Sequence, residues 1–149
     1  MKPVSVERVI PAPAAEIFAV LVDPKRHQEI DGSGTVKQPT KAPARLSLGA
    51  RFGMGMKVGA PYKMVSKVTE FEEDRLIAWQ PVPDYPLVSR LVGGRTWRYE
   101  LEPVEGGTLV RETWDPTTER LPVIVRAAAG LTKTNMEKTL AKLEEVVTG

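Results

Sequence analysis

The stretch that decides the fold is Leu121–Val147, LPVIVRAAAGLTKTNMEKTLAKLEEVV, the longest helical pattern in the chain. Its apolar residues recur at steps of three or four, the spacing of one stripe along a helix. The first half is apolar nearly all round, so we expect it to be covered on more than one side. Gly130 weakens a helix by up to about 1 kcal/mol relative to alanine, which indicates a bend or close packing there. The stripe consists of Val125, Ala129, Thr132, Met136, Leu140, Leu143 and Val147.

A helix of this length needs a wide surface to lie on, and the chain upstream of it begins with a strand at roughly residues 3–10. Pro13 is well placed in the first turn of a short helix that follows. Asp23 and Pro24 are typical of a cap and first helical residue, which predicts a second short helix over about 24–30. The glycine-containing turn at 31–34 lacks the lysine and leading strand of a phosphate-binding loop.

From residue 35 to 115 the pattern is that of β-structure. Residues 35–44 are interrupted by proline and predict an edge strand with a loop. A proline-rich loop covers 81–86, and the segment 87–92 is either a mobile lid or a strand extension. Regular strands are predicted at residues 51–58, 62–71, 75–80, 95–102 and 108–114, the last two joined as a hairpin.

The predicted order is one strand, two short helices, about six antiparallel strands and one long helix. It favours an α+β architecture in which a curved antiparallel sheet wraps around the C-terminal helix. The segments VERVIPAPAAEIFAVLVDP, VTEFEEDRLIAWQP and WRYELEPVEGGTLVRETWD, with the terminal helix, resemble the START-like (Bet v 1-like) superfamily of polyketide cyclase/dehydrase and lipid-transport type. The resemblance implies one helix-grip domain over residues 1–149, with a hydrophobic cavity between sheet and helix.

Composition narrows the function. The 21 basic and 19 acidic residues leave a net charge of +2, and the basic residues are scattered, so we expect neither nucleic acid nor an anionic membrane as partner. The absence of cysteine excludes thiol catalysis. With no long apolar run, we expect a cytoplasmic protein without an integral membrane segment, as a monomer or weak homodimer. No nucleophile elbow or cofactor fingerprint occurs, and we expect no cofactor.

The residues expected to face inward are mostly methionine and aromatic. Methionine adapts to varied apolar ligands, and tryptophan and tyrosine join an apolar body to one hydrogen-bonding group. Periodicity alone favours an ordinary core, whereas the resemblance favours a cavity for a small hydrophobic ligand. The candidate ligand-binding residues are Phe52, Met54, Met56, Met64, Trp97, Tyr99, Val110, Glu112, Trp114 and Met136.

Glu112 is the acid of greatest interest. If Val110 and Trp114 face inward, strand alternation carries Glu112 inward with them. A buried carboxyl group has a raised pKa unless it is paired, and it then serves as a general acid or base. In the opposite strand phase, the intervening residues face inward and Glu112 lies in water.

His27, the only histidine, and Asp31 are the other catalytic candidates. A pair of these residues at the cavity mouth would orient a ligand or move a proton. The pattern favours a solvated histidine beside a turn aspartate, and two such residues do not make a metal site. Trp79 is expected to pack in the core rather than at the cavity rim.

Three functions remain open. The first is a binding protein that sequesters or carries a lipid, a polyketide or another aromatic metabolite. The second is a polyketide cyclase/dehydrase-type enzyme in which a cavity carboxylate or histidine transfers protons. The third is a protein-interaction module of the chaperone-activator kind, which would expose an apolar patch instead of a pocket.

Overall fold

The strands form one antiparallel sheet of seven strands in the order β1-β7-β6-β5-β4-β3-β2. The structure, a computed structural model, describes all residues from 1 to 149. Strands β2 to β7 follow one another as a meander, and β1 pairs with the outer edge of β7. The elements are β1 (Val4–Ile10), α1 (Ala14–Leu21), a 3₁₀ turn (Pro24–Arg26) leading into α2 (His27–Ile30), β2 (Val36–Lys41), β3 (Arg51–Val58), β4 (Ala60–Glu72), β5 (Leu76–Pro83), β6 (Thr96–Val104), β7 (Gly107–Asp115) and α3 (Pro122–Thr148).

The predicted α+β helix-grip order is confirmed, and two irregularities shape the sheet. Strand β4 is 13 residues long and shifts register between Val68 and Glu70, a bulge that bends a strand. Beyond Trp79, β5 no longer pairs with β6. Pro81 and Pro83 therefore extend β5 where one edge is free, which is where a strand tolerates proline. The predicted loop at 81–86 begins three residues late for this reason.

Helix α3 lies against the sheet with the predicted stripe inward. Its contacts include β1, β7, α1 and α2, and Arg8 on β1 bonds Glu144 on α3 at 3.3 Å. The helix therefore joins the first strand to the last element of the chain. The buried residues of α3 are Val125, Thr132, Met136, Thr139, Leu140 and Leu143.

The first half of α3 corrects one prediction. Up to Leu131 only Val125 is buried, whereas Val123 and Leu131 are 60% and 72% exposed. The expectation of cover on more than one side was wrong because the elements that contact α3 bury a single face. The prediction of close packing at Gly130 was also wrong, since no atom lies within 4 Å of a Cβ built there. The helix continues through Gly130 without interruption.

Residues 87–92 form a loop with a 3₁₀ turn at Val88–Arg90, so they do not extend a strand. The loop is tied to the start of α3, because the amide of Arg120 donates to the carbonyl of Gly93 at 2.9 Å. Gly93 has a φ of +103°, and a Cβ there would meet Val82 Cα at 2.8 Å. Leu87 and Leu91 are 76% and 70% exposed. No helix of the structure combines the length and the apolarity needed to cross a bilayer.

Candidate functional site

A cavity of about 270 Å³ lies between the sheet and helices α2 and α3. Strands β3 to β7 supply its floor, and α3 closes it from the other side. Eight of the ten candidate ligand-binding residues line it, as do both further catalytic candidates, His27 and Asp31. The eight are Phe52, Met54, Met56, Met64, Trp97, Tyr99, Glu112 and Met136.

Val110 and Trp114 do not line this cavity. Both are on β7 and face inward as predicted, with 0% and 1% exposure, but they belong to the packed core. Trp114 lies 6.4 Å from the Trp97 ring, centroid to centroid. The alternation of β7 was therefore predicted correctly, and only Glu112 among its three inward residues reaches the cavity.

Glu112 and Tyr99 form the polar centre of the wall. They are direct cross-strand partners of the β6–β7 hairpin, a position that brings two side chains together. The Tyr99 hydroxyl donates to Glu112 Oε2 at 2.9 Å. Glu112 is only 2% exposed and Tyr99 only 5%. Oε1 of Glu112 is buried and has no hydrogen-bond partner.

Burial sets the charge of this pair. It raises the pKa of Glu112 to about 8, against a smaller lowering by the Tyr99 hydrogen bond and with a further increase from the charge of Asp31. Burial, followed by the charge of Glu112, raises the pKa of Tyr99 well above 10. Both groups therefore carry their protons at neutral pH.

No cation neutralises Glu112. Arg98 is on the neighbouring strand but bonds Glu70 at 2.6 Å. Arg111 on β7 bonds Glu7 on the adjacent strand β1 at 3.1 Å. Arg95 does line the cavity, yet its guanidinium is engaged by Glu119 at 3.0 Å. Because no cation offsets a negative charge here, the carboxyl group of Glu112 stays neutral by keeping its proton.

The structure overturns the expectation that His27 is solvated. The residue is 7% exposed, and its Nε2 lies 2.8 Å from the carbonyl oxygen of Leu21. Its ring stacks on Trp79, with centroids 5.1 Å apart and 18° between planes. Burial lowers the pKa of His27, although the bond to Leu21 raises it in part. Since a carbonyl only accepts, Nε2 carries the proton of a neutral ring and Nδ1 is an acceptor.

The Asp31 carboxylate makes no hydrogen bond to the His27 ring, so the hypothesised His27–Asp31 side-chain pair is wrong; the two residues share only the helical bond from the Asp31 amide to the His27 carbonyl at 3.1 Å. Asp31 Oδ1 accepts from the Ser33 amide at 3.0 Å, and Oδ2 accepts from the Val36 amide at 2.9 Å. The carboxylate thus closes the turn before β2, as aspartate commonly does. It reaches the cavity wall from that turn.

Several lining residues were not predicted as ligand contacts. Trp79 was expected in the core, but its stack with His27 forms part of the wall. Thr132 and Thr139 lie four residues before and three residues after Met136, on the same face of α3. This spacing could have predicted that they line the cavity with Met136. Tyr62 and Ser66 share β4 with Met64 in alternate positions. No group of three or more His, Asp or Glu side chains is arranged to hold a metal ion.

The chain has the parts of a START-like helix-grip protein: a curved antiparallel sheet, a long helix laid across it and a cavity between them. The chain matches the family model described as "Polyketide cyclase / dehydrase and lipid transport" over residues 1–148. The chain therefore belongs to that family.

The chain is also similar in sequence to a mycobacterial protein and in fold to solved structures. Uncharacterized protein Rv0088 of Mycobacterium tuberculosis is 38% identical over 144 residues, which cover 91% of this chain and 60% of that protein. Protein CV1439 of Chromobacterium violaceum superposes with a TM-score of 0.76 at 17% identity, covering 99% of this chain and 98% of that one. The Aha1 dimer of Colwellia psychrerythraea gives 0.63 at 17% identity, covering 99% and 96%. These two structures share the fold.

Proposed function

We propose that the protein binds one small hydrophobic molecule, of lipid, polyketide or aromatic type, in the cavity between sheet and α3. The observation that carries this proposal is a wall of methionine and aromatic side chains around about 270 Å³. Ligand pockets usually enclose about 300–1,000 Å³, so a cavity just below this range suits a compact ligand. The family description, which includes lipid transport, supports the same class of function.

The free energy of binding would come mainly from burying apolar ligand surface, at roughly 25 cal/mol per Å². The methionines at 54, 56, 64 and 136 give this wall its flexibility, since unbranched thioether side chains repack easily. Glu112, Tyr99 and the neutral His27 are the polar groups that would fix orientation.

The test is native mass spectrometry of freshly purified protein, with thermal shifts against fatty acids, naphthalenes and aromatic polyketides. Met56→Trp should fill the cavity and weaken ligand binding by about tenfold or more, because a packed interior rejects added volume. Val58→Trp is the matched control, since Val58 follows on the same strand but is 63% exposed and outside the cavity. The proposal fails if no compound stabilises the wild type, or if both tryptophan variants bind equally well.

A proton-transfer enzyme is the second candidate, and the protonated Glu112 favours it. A carboxyl group whose pKa is raised to about 8 is an effective general acid at neutral pH. In the dehydration of a β-hydroxy ketone, such an acid would protonate the departing hydroxyl group as the C–O bond breaks. Nδ1 of the neutral His27, which also lines the cavity, would take the α-proton, so that the products are an enone and water.

Turnover separates the two candidates. 4-Hydroxy-4-phenylbutan-2-one loses water to give a conjugated enone that is followed by absorbance. An enzyme that relies on Glu112 should lose this activity in Glu112→Gln while still binding the substrate. A binding protein should show no turnover in either form and only a modest change in affinity.

A further inference from the structure

The carboxyl group of Glu112 carries a proton that no protein atom accepts. Tyr99 donates to Oε2, so in the neutral carboxyl group Oε2 is the carbonyl oxygen. The acidic hydrogen then sits on Oε1, the one buried side-chain nitrogen or oxygen without a hydrogen-bond partner. Buried donors are nearly always satisfied, and an orphan one calls for a partner from outside the chain.

We propose that the ligand carries a neutral hydrogen-bond acceptor, a carbonyl or ether oxygen, on an otherwise apolar skeleton, and that this oxygen accepts the hydrogen on Glu112 Oε1. This inference rests on the proposed binding function and adds the chemical class of the ligand. Apolar burial would hold the skeleton, and Glu112 would set its orientation and select against plain hydrocarbons.

The remaining titratable groups of the wall support a neutral ligand. They are Asp31 at the end of α2, His27 on α2, Tyr62 on β4, Arg95 before β6 and Tyr99 on β6, while α3 contributes none. A carboxylate ligand would meet Glu112 and Asp31, and the one cation, Arg95, is already paired with Glu119. An amine would bind only after Glu112 gave up its proton, against the desolvation that keeps the proton in place.

The experiment compares four naphthalene probes of nearly equal size by isothermal titration calorimetry at pH 7. They are 2-acetylnaphthalene, 2-ethylnaphthalene, 2-naphthoate and 1-(2-naphthyl)ethylamine. The ketone should bind about tenfold more tightly than the hydrocarbon, the difference that one hydrogen bond to a buried donor supplies. The carboxylate and the amine should bind more weakly than the hydrocarbon. The carbonyl stretch of the bound ketone should shift to lower wavenumber.

Raising the pH gives a test without any substitution. Above pH 8 the donor is lost, so ketone affinity should fall by about tenfold in total, to that of the hydrocarbon, while hydrocarbon affinity should stay constant. If the amine gains affinity as the ketone loses it, the ionised carboxylate is a cation site at high pH, as the proposal requires. If the amine already binds best at pH 7, the proposal is overturned.

Variants of Glu112 separate the hydrogen bond from the shape of the cavity. Glu112→Gln keeps a donor where Oε1–H lies, so it should retain the preference for the ketone and lose the pH dependence. Glu112→Met removes the donor and should bind ketone and hydrocarbon alike. Glu102→Gln, on an exposed residue of β6, is the control and should behave as wild type.

The possible outcomes separate a failure of this inference from a failure of the proposed binding function. Equal binding of ketone and hydrocarbon by the wild type refutes the inference and leaves a hydrophobic binding site intact. Failure of every probe, together with failure of the fatty acids and aromatic polyketides in the thermal-shift panel, removes the binding function itself and the inference with it. A ketone preference that survives in a folded Glu112→Met variant places the donor elsewhere and also refutes the inference.

Discussion

Tyr99 and Glu112 are joined because the β6–β7 hairpin places them opposite each other. Val104 pairs with Gly107 across a two-residue turn, and counting back along the ladder sets Tyr99 against Glu112. The Glu105–Gly107 turn is visible in the sequence, so this pairing was within reach of sequence reasoning. Strand alternation also places Arg98 and Arg111 on the opposite face of the sheet from Glu112. The pairing of Arg95, the cation that lines the cavity, with Glu119 was not within reach, because the two residues lie 24 positions apart in the chain.

Replacing Tyr99 by phenylalanine should destabilise the protein by about 1–3 kcal/mol, because it leaves a second oxygen of the buried Glu112 without a partner. The pKa of Glu112 should rise further, since the Tyr99 hydrogen bond lowers it in the native protein. Urea unfolding measures the first effect and titration of ¹³C-labelled glutamate the second. Tyr85→Phe, at a residue 46% exposed, should change neither. Equal losses in both variants would contradict this account.

His27 shows where residue-level prediction failed. A single polar residue beside a turn is usually solvated, and its local sequence contains nothing that contradicts this. Its burial comes from Trp79 and Phe52, which lie 52 and 25 positions later in the chain; the Phe52 ring is 5.5 Å from the imidazole. Contacts between residues so distant in sequence leave no local signal.

At the scale of elements, the two faces of α3 should respond differently to the same substitution. Leu140→Ala should cost about 2–5 kcal/mol, because the side chain is 2% exposed and its removal opens a cavity. Leu131→Ala should change stability by less than about 0.5 kcal/mol, because this leucine is 72% exposed. Urea unfolding of the two variants is the measurement. Similar losses would mean that the first half of the helix is covered after all.

The turn after α2 is clamped onto α3. The Gly32 amide donates to Thr139 Oγ1 at 2.9 Å, and Lys142 Nζ donates to the Asp31 carbonyl at 2.9 Å. A Cβ at Gly32 would overlap the carbonyl oxygen of Asn135 and meet the Thr139 amide nitrogen at 2.7 Å. The close contact is to backbone, which a rotamer change does not relieve.

Gly32→Ala should therefore push this turn away from α3, lowering stability by about 1–3 kcal/mol as overpacking does, and should loosen the cavity wall at Asp31. Hydrogen exchange should speed up at the Gly32 and Val36 amides, which are bonded to Thr139 and Asp31. Gly34→Ala is the comparison, with φ of +75° but open space around it. Faster exchange in both variants would indicate backbone strain, not the contact with α3.

Strands and helices were largely predictable because their periodicity is local. The stripe of α3 and the alternation of β3 follow from side-chain geometry within each element. What α3 leaves uncovered was not predictable, since Val123 and Leu131 resemble buried residues in composition. Whether another layer covers an apolar face depends on the rest of the chain. The inward residues of β7 show the same limit. Strand alternation predicts that Val110, Glu112 and Trp114 face inward, but not which of them line the cavity and which pack in the core.

For the whole molecule, two buried groups, Glu112 and His27, have opposite effects on how stability changes with pH. Glu112 keeps its proton to about pH 8 in the fold but ionises near pH 4.5 when unfolded, so its contribution is full below 4.5 and lost as pH rises to 8. His27 is neutral in the fold but gains a proton below pH 6.5 when unfolded, so stability falls as pH falls. As the pH falls from 6.5 towards 4.5, the two effects on stability therefore act in opposite directions.

Above pH 6.5 only the Glu112 effect remains. The free energy of unfolding should then fall by about 1.4 kcal/mol per pH unit, or about 2 kcal/mol by pH 8. Urea unfolding at pH 6.5 and 8 measures this decline. Glu112→Gln has no proton to lose and should be flat over the same range. A wild type that is also flat would mean that Glu112 is ionised in the fold at neutral pH.

The open sheet leaves β2 as an edge, and this strand is ill suited to recruiting another chain. Its register against β3 shifts twice, on either side of Pro39, and lysines stand at 37 and 41. Proline supplies no amide hydrogen, and a like-charged neighbour is repelled by the lysines. The proline-broken segment that made the sequence hard to interpret thus protects this edge of the sheet from pairing with a strand of another molecule.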